Sequence, residues 1–275
     1  MSLKPRNPWL AALASLLLPG LGHIYGGSLT KGLVLALLPF LLYVSGGLSR
    51  VVLHPFGWDL LVAVSVLFYL YVALDAFILA RRSRARNYIL QPFNRWYWYL
   101  LLWGGLTFCW VLLGGARVDL FGFESYLLSS VAMAPTIDQG EIIVVDTRDR
   151  TPAVGKVMVY QDSRGEVYTK RVAALSGDSI AMRDGVVYRN EQAESCLGVS
   201  AVFRQIPYSR SLSTMTLAQG EIFMLGDNRD YSRDSRTEGT VHQDQLLGSV
   251  RYIGFSRDFS WIGKVPLNPC KPLQP

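Results

Sequence analysis

The 275-residue sequence is half hydrophobic and only 17% charged, too apolar and too sparsely charged for an ordinary soluble domain. Its formal net charge is +6, and the position of those charges decides whether they point to nucleic acid or to a membrane surface. Apolar runs concentrate before residue 117 and strand patterns with turn signals follow it, which predicts a membrane region over 1–116, a β-rich domain over 117–265 and a proline-rich tail over 266–275.

The segment 7–30 contains no Lys, Arg, Asp or Glu, but Pro19-Gly20, Gly22 and Gly26-Gly27 interrupt it. It reads as a broken or re-entrant helix pair and not as a straight span, nor as a cleavable signal peptide, since a clean small-x-small cleavage site is missing. Three further runs, 32–49, 60–80 and 96–116, are long enough to cross a hydrocarbon core of about 30 Å. The last opens on the aromatic belt Trp96-Tyr97-Trp98-Tyr99, as expected at a membrane–water boundary.

Lys4, Arg6 and Lys31 lie at one end of these runs, and Arg81, Arg82, Arg84, Arg86 and Arg95 lie between the second and third. The positive-inside rule places both clusters in the cytoplasm and delivers residue 117 onward to the outer side. That rule accounts for the basic charge, so a nucleic-acid or anionic-lipid recruiting protein is not needed to explain it. Asp75 sits in an apolar run and is expected to reach the interface or the arginine cluster; His23, beside glycines, has no evident partner in the sequence.

After Asp119 the chain becomes a series of short β-branched and aromatic runs, at 141–146, 156–160, 167–172, 222–225 and 247–253. Asp184-Gly185 between two apolar stretches signals a hairpin. Residues 190–219, polar and without a sustained period, read as a long connection or insertion. Of three cysteines, Cys109 lies in an apolar run; Cys196 and Cys270 are candidates to pair in an oxidising compartment, and no metal-ligand spacing occurs among them.

Three stretches carry the chemistry: Ser130-Val131-Ala132-Met133-Ala134-Pro135-Thr136; Tyr168-Thr169-Lys170-Arg171-Val172 followed by Ser176-Gly177-Asp178; and Gly226-Asp227-Asn228-Arg229-Asp230-Tyr231-Ser232-Arg233-Asp234-Ser235-Arg236. In this order, after membrane spans and on a β-rich domain, they resemble the boxes of type I signal peptidases, over roughly residues 117–260. The resemblance implies a multi-span α-helical membrane region followed by an extracytoplasmic catalytic domain of coiled antiparallel sheets, in the bacterial inner membrane with that domain on the periplasmic side. It implies preprotein signal peptides as substrates, with small side chains at the first and third positions before the cut, and contact with the bilayer and the protein-export machinery. No cofactor or metal and no nucleic acid is expected.

The resemblance assigns roles residue by residue. Position 132 is the nucleophile's, and here it holds Ala132. Lys170 is the general base, Ser232 the hydroxyl that orients its amine, and Ser130 with the backbone N–H of residue 132 the oxyanion hole. Arg171, Asp227, Arg229, Asp234 and Arg236 are support, holding the third box through ion pairs. Tyr231 departs from the asparagine usual before the orienting serine. These types suit the chemistry: a serine hydroxyl needs an adjacent base, and a lysine serves only when burial favours its neutral amine. Tyr126, Leu127, Leu128, Val131 and Met133 are expected to rest on the membrane beside the site.

A methyl group cannot attack a carbonyl, so the chain as written is expected not to cleave by this mechanism. It is either a peptidase inactivated at its nucleophile or a natural non-catalytic homologue that binds signal sequences. The retained Lys170, Ser232 and Ser130 favour the first.

Overall fold

A computed structural model describes residues 5–85 and 91–266. Lys4, Arg86, Cys270 and the tail beyond Pro266 lie outside the described residues, and so does the Cys196–Cys270 pairing; Cys196 is disulfide-bonded and Cys109 is a free thiol. The chain divides into two compact units, 1–52 with 56–121, and 53–55 with 122–275.

The first unit is helical. α1 (Pro8–Leu17) starts on Asn7, whose side chain accepts from the Trp9 and Leu10 amides, and has a proline at its first position, a favourable helix start. Its ten residues rise only about 15 Å, half a hydrocarbon core, and α2 (Leu21–Tyr25) is shorter still. Among the described residues three helices have the length and composition to cross a membrane: α3 (Leu29–Leu48), α4 (Pro55–Ala85) and α5 (Trp96–Gly115). α6 (Arg117–Phe121) closes the unit, with Phe121 buried against Gly47 and edge-on to Tyr43.

Two expectations are corrected here. His23 does have a partner, because its Nε2 lies 2.6 Å from Asp75 Oδ2. Asp75 turns to His23 and to the Lys31 ammonium at 2.5 Å, not to the arginine cluster. The packing of α2 and α3 beside α4 brings all three charges together, which sequence distance alone concealed.

The second unit is mainly β. A seven-stranded antiparallel sheet runs in the order β1 (Phe123–Leu127), β2 (Ile142–Asp146), β11 (Leu246–Phe255), β3 (Val157–Gln161), β4 (Val167–Ala174), β9 (Glu221–Leu225), β10 (Val241–His242). Register shifts in the β11 pairings and between Val172 and Ala174 on β4 bend it, as bulges do. A four-stranded sheet follows the order β7 (Gln192–Ala193), β6 (Val186–Arg189), β5 (Ser179–Arg183), β8 (Leu212–Thr216). Its β5–β6 hairpin turns at Asp184 and Gly185, both at positive φ, the conformation Asp-Gly adopts most readily.

Residues 190–219 are thus more than a connection. Short β7 and β8 add strands to the second sheet, and Leu197 and Leu217 bury in its core with Ile180, Val187 and Phe223. A second core holds Leu128, Met133, Ile137, Ile143, Val145 and Val159. Leu128 and Met133 therefore do not rest on a membrane, whereas Leu127 and Val131 are exposed. The alternation of a strand and its turn sends neighbours to opposite sides.

Candidate active site

The loop from Leu128 to Glu141 joins β1 to β2 and is pinched at its base by Leu128 N to Glu141 O (2.9 Å) and Gly140 N to Leu128 O (2.8 Å). Met133 and Ile137 anchor it in the core. Between anchor and solvent lies the 130–132 corner: Ser130 is exposed, Ala132 is buried, and the Ala132 N–H donates to Ser130 Oγ at 3.4 Å. The amide and the hydroxyl stand side by side at this corner.

The loop after β9, from Gly226 to Asp234, meets that corner. Asn228 N donates to Ala132 O at 3.0 Å. A Cβ at Gly226 would come within 2.1 Å of Ser232 Oγ and 2.6 Å of Ala132 O, so only glycine lets the two boxes approach this closely. β4 pairs Arg171 with Leu225, and continuing that register by one residue sets Lys170 level with Gly226.

Lys170 is 3% exposed and faces the Met158, Val172 and Met224 side of the sheet, with its amine 5.7 Å from the centroid of the Tyr168 ring. Burial brings its pKa from the usual 10.5 down to about 8, with Arg236 adding to the fall and Asp234 and Asp227 opposing it. An amine so placed is neutral in a large fraction near pH 8, which a solvated lysine is not. Ser232 Oγ is buried without a hydrogen-bond partner. The expected bond from Ser232 to the Lys170 amine is not formed, because that hydroxyl packs against Gly226 while the amine sits over Tyr168.

Arg171, the next residue along β4, points to the opposite face of the sheet. Arg171 grips Asp227 with two parallel bonds, Nε to Oδ1 at 2.8 Å and Nη2 to Oδ2, and donates Nη1 to Gly155 O at 2.7 Å. Thr136 Oγ1 donates to the same Asp227 carboxylate. One carboxylate thus joins all three boxes, and Thr136, quoted only as the end of the first box, is one of the residues that hold them together. Asp234 binds Arg236 in the same forked way, accepts from Gly226 N at 2.9 Å and caps α7 (Ser235–Glu238).

Arg229 differs from expectation. Among the described residues it has no carboxylate partner; its Nε and Nη2 donate to the carbonyls of Gly226 and Leu197, and burial lowers its pKa to about 10. A cavity of about 680 Å³ opens at Arg171 and Asp227, between the 196–203 segment and Trp261–Pro266. Ala132, Lys170 and Ser232 are not among its walls, so it is not the reaction site. Among the described residues no cluster of His, Cys, Asp and Glu could hold a metal.

The family profile described as signal peptidase, peptidase S26, matches residues 100–255, which include all three boxes. The chain belongs to the signal peptidase family. It is 30% identical over 178 residues to signal peptidase I of Bacillus caldolyticus, covering 60% of this chain and 92% of that protein. It is 29% identical over 167 residues to a probable signal peptidase I-1 of Synechocystis sp., covering 56% and 82%. Signal peptidase IB of Staphylococcus aureus is 27% identical over 151 residues, covering 49% and 79%. A crystal structure of a signal peptidase I from Enterococcus faecalis V583 matches 37% of this chain and 97% of its own, at 27% identity and a TM-score of 0.32.

Proposed function

We propose that this chain is built to remove signal peptides from exported preproteins by a Ser/Lys mechanism, and that Ala132 stops it after binding. The observation that carries the reading is Lys170: a buried amine with its pKa near 8, in a family of peptidases, level with the corner where a nucleophile would stand. With a serine at position 132, its Oγ attacks the scissile carbonyl carbon while its proton passes to the neutral Lys170 amine. The carbonyl oxygen, now negative, accepts from the Ser130 hydroxyl and the residue-132 N–H. The Lys170 ammonium returns the proton to the leaving amine as the peptide C–N bond breaks; the neutral amine then takes a proton from the water that attacks the ester and passes it to the serine Oγ as the ester C–O bond breaks.

An alanine offers no lone pair, so the first step has no reagent, while the oxyanion donors and the base remain. The chain therefore binds a signal peptide without cutting it. Small side chains at the first and third positions before the cut fit this reading, and an extended substrate would add along a strand edge. The proposed setting is a bacterial inner membrane, with spans over α3, α4 and α5 and the β unit on the periplasmic face.

The test is Ala132→Ser in the full chain, assayed on a preprotein with an alanine-type cleavage site. Cleavage is expected to rise from background, to climb with pH through about 8 as Lys170 loses its proton, and to vanish in the Ala132→Ser, Lys170→Met double variant. Folded Ala132→Ser protein that binds the preprotein and leaves it intact would establish instead a non-catalytic signal-sequence binder.

A further inference from the structure

α1 presents two faces. Ala11 and Ser15 are fully buried, while Trp9, Leu13 and Leu17, spaced by one turn each, are 71%, 58% and 80% exposed. Apart from the contact of Trp9 with Phe77, this apolar stripe is exposed, and the helix carries no charge along it. At its start, Pro5, Arg6, Asn7, Pro8 and Trp9 enclose a cavity of about 560 Å³ with Phe77 and Arg81 of α4. Among the described residues its wall holds two arginines and no acidic residue.

Its parts are held in place. Arg6 is largely buried and lies over the Tyr25 ring at 4.3 Å, and Asn7 N donates to the Tyr25 hydroxyl at 3.1 Å. Trp9 and Phe77 meet edge to face at 5.0 Å. Arg81 directly follows the apolar run of α4, which ends at Ala80. That is the depth at which a spanning helix meets lipid headgroups, where basic side chains reach for phosphate. The first helical amides are already taken by the Asn7 side chain, so the charge of the site is that of the arginines.

A positive cavity at headgroup depth, continuous through Trp9 with an exposed apolar stripe, fits a molecule that is anionic at one end and apolar along the rest. We propose that this cavity binds the phosphate of an anionic phospholipid, with Arg6 and Arg81 on the phosphate and Trp9, Leu13 and Leu17 against an acyl chain. The site anchors α1 flat in one leaflet, as amphipathic helices lie. It is separate from the peptidase boxes, and it holds whether or not the chain cleaves.

The experiment uses the full chain in nanodiscs of phosphatidylcholine alone or mixed with phosphatidylglycerol, then released into neutral detergent, with retained lipid counted by native mass spectrometry. One phosphatidylglycerol is expected to stay bound, with no phosphatidylcholine in its place and no displacement by inorganic phosphate. Arg81→Gln is expected to weaken retention about fivefold, the effect of one headgroup-level guanidinium, with Arg81→Lys keeping most of it. Arg82→Gln, one residue outside the cavity wall, is expected to change nothing. Arg6→Gln should match Arg81→Gln provided its thermal unfolding is unchanged; since Arg6 is buried, Arg81 carries the decision. Equal loss in Arg82→Gln would reduce the effect to general surface charge and overturn the site. Equal retention of phosphatidylcholine would do the same, as would displacement by inorganic phosphate, which would leave a soluble-anion site.

Discussion

Lys170 and Arg171 are neighbours on β4 and live in opposite circumstances. On one face Arg171 has its carboxylate, a carbonyl and the Thr136 hydroxyl around it. On the other, the Lys170 amine has an aromatic ring and apolar side chains, and Ser232 is left without a partner. The satisfied face holds the three boxes together, and the unsatisfied face is the one suited to chemistry. A buried cation that is fully paired stays charged; one that is desolvated and loosely paired sheds its proton more readily. Two adjacent cations thus do different work because a strand turns them into different surroundings.

The comparison breaks hardest on Asp227. Asp227→Ala leaves Arg171 buried without its carboxylate and is expected to cost about 3–5 kcal/mol in unfolding free energy, read by denaturant titration of the detergent-solubilised chain. A cost below about 1 kcal/mol would mean that the forked pair does not hold the boxes. Ser130→Ala, placed in an Ala132→Ser background, probes the other face: the rate is expected to fall about 10² to 10³-fold, with unfolding unchanged because Ser130 is exposed. A large stability loss there would show Ser130 to be part of the scaffold.

Lys170→Met sharpens the contrast through pH. In the folded chain the amine titrates near 8 and in the unfolded chain near its usual 10.5, so below pH 8 folding carries a buried charge at a cost. Between about 8 and 10.5 the unfolded state binds more protons than the folded one, and stability rises with pH. Lys170→Met is expected to stabilise the chain by about 3 kcal/mol at pH 7, with the gap closing above pH 10.5. A gap that does not depend on pH would mean that packing and not charge accounts for it. The smallest effect belongs to Arg233, 68% exposed and paired with Glu238. Arg233→Ala is expected to change stability by less than about 1 kcal/mol, which separates this surface pair from the buried one.

The candidate site and the elements that carry it were legible where their signals are local. Ser130, Ala132, Lys170 and Ser232 each sit in a short box, and the strand runs, the Asp184-Gly185 hairpin and the three long apolar helices follow from side-chain period and turn chemistry. What stayed hidden were pairings across distance. Nothing near Arg229 in the sequence says that it takes carbonyls and leaves Asp227 to Arg171, and nothing near His23 says that Asp75 will reach it. Residues 190–219 were opaque for a related reason: β7 and β8 are too short to show a period and exist by pairing with β6 and β5.

The amino-acid order alone carries the composition of two unlike parts, the order of the boxes and the alanine at the position that the proposed mechanism gives to a nucleophile. These are properties of single residues and short spacings. Which face of β4 each cation occupies, that one carboxylate joins all three boxes, that Leu128 and Met133 are core, and that Arg6 and Arg81 line one cavity beside α1 are set by the packed fold. Those depend on which strands and helices become neighbours, and burial then assigns each charge its partner or leaves it without one.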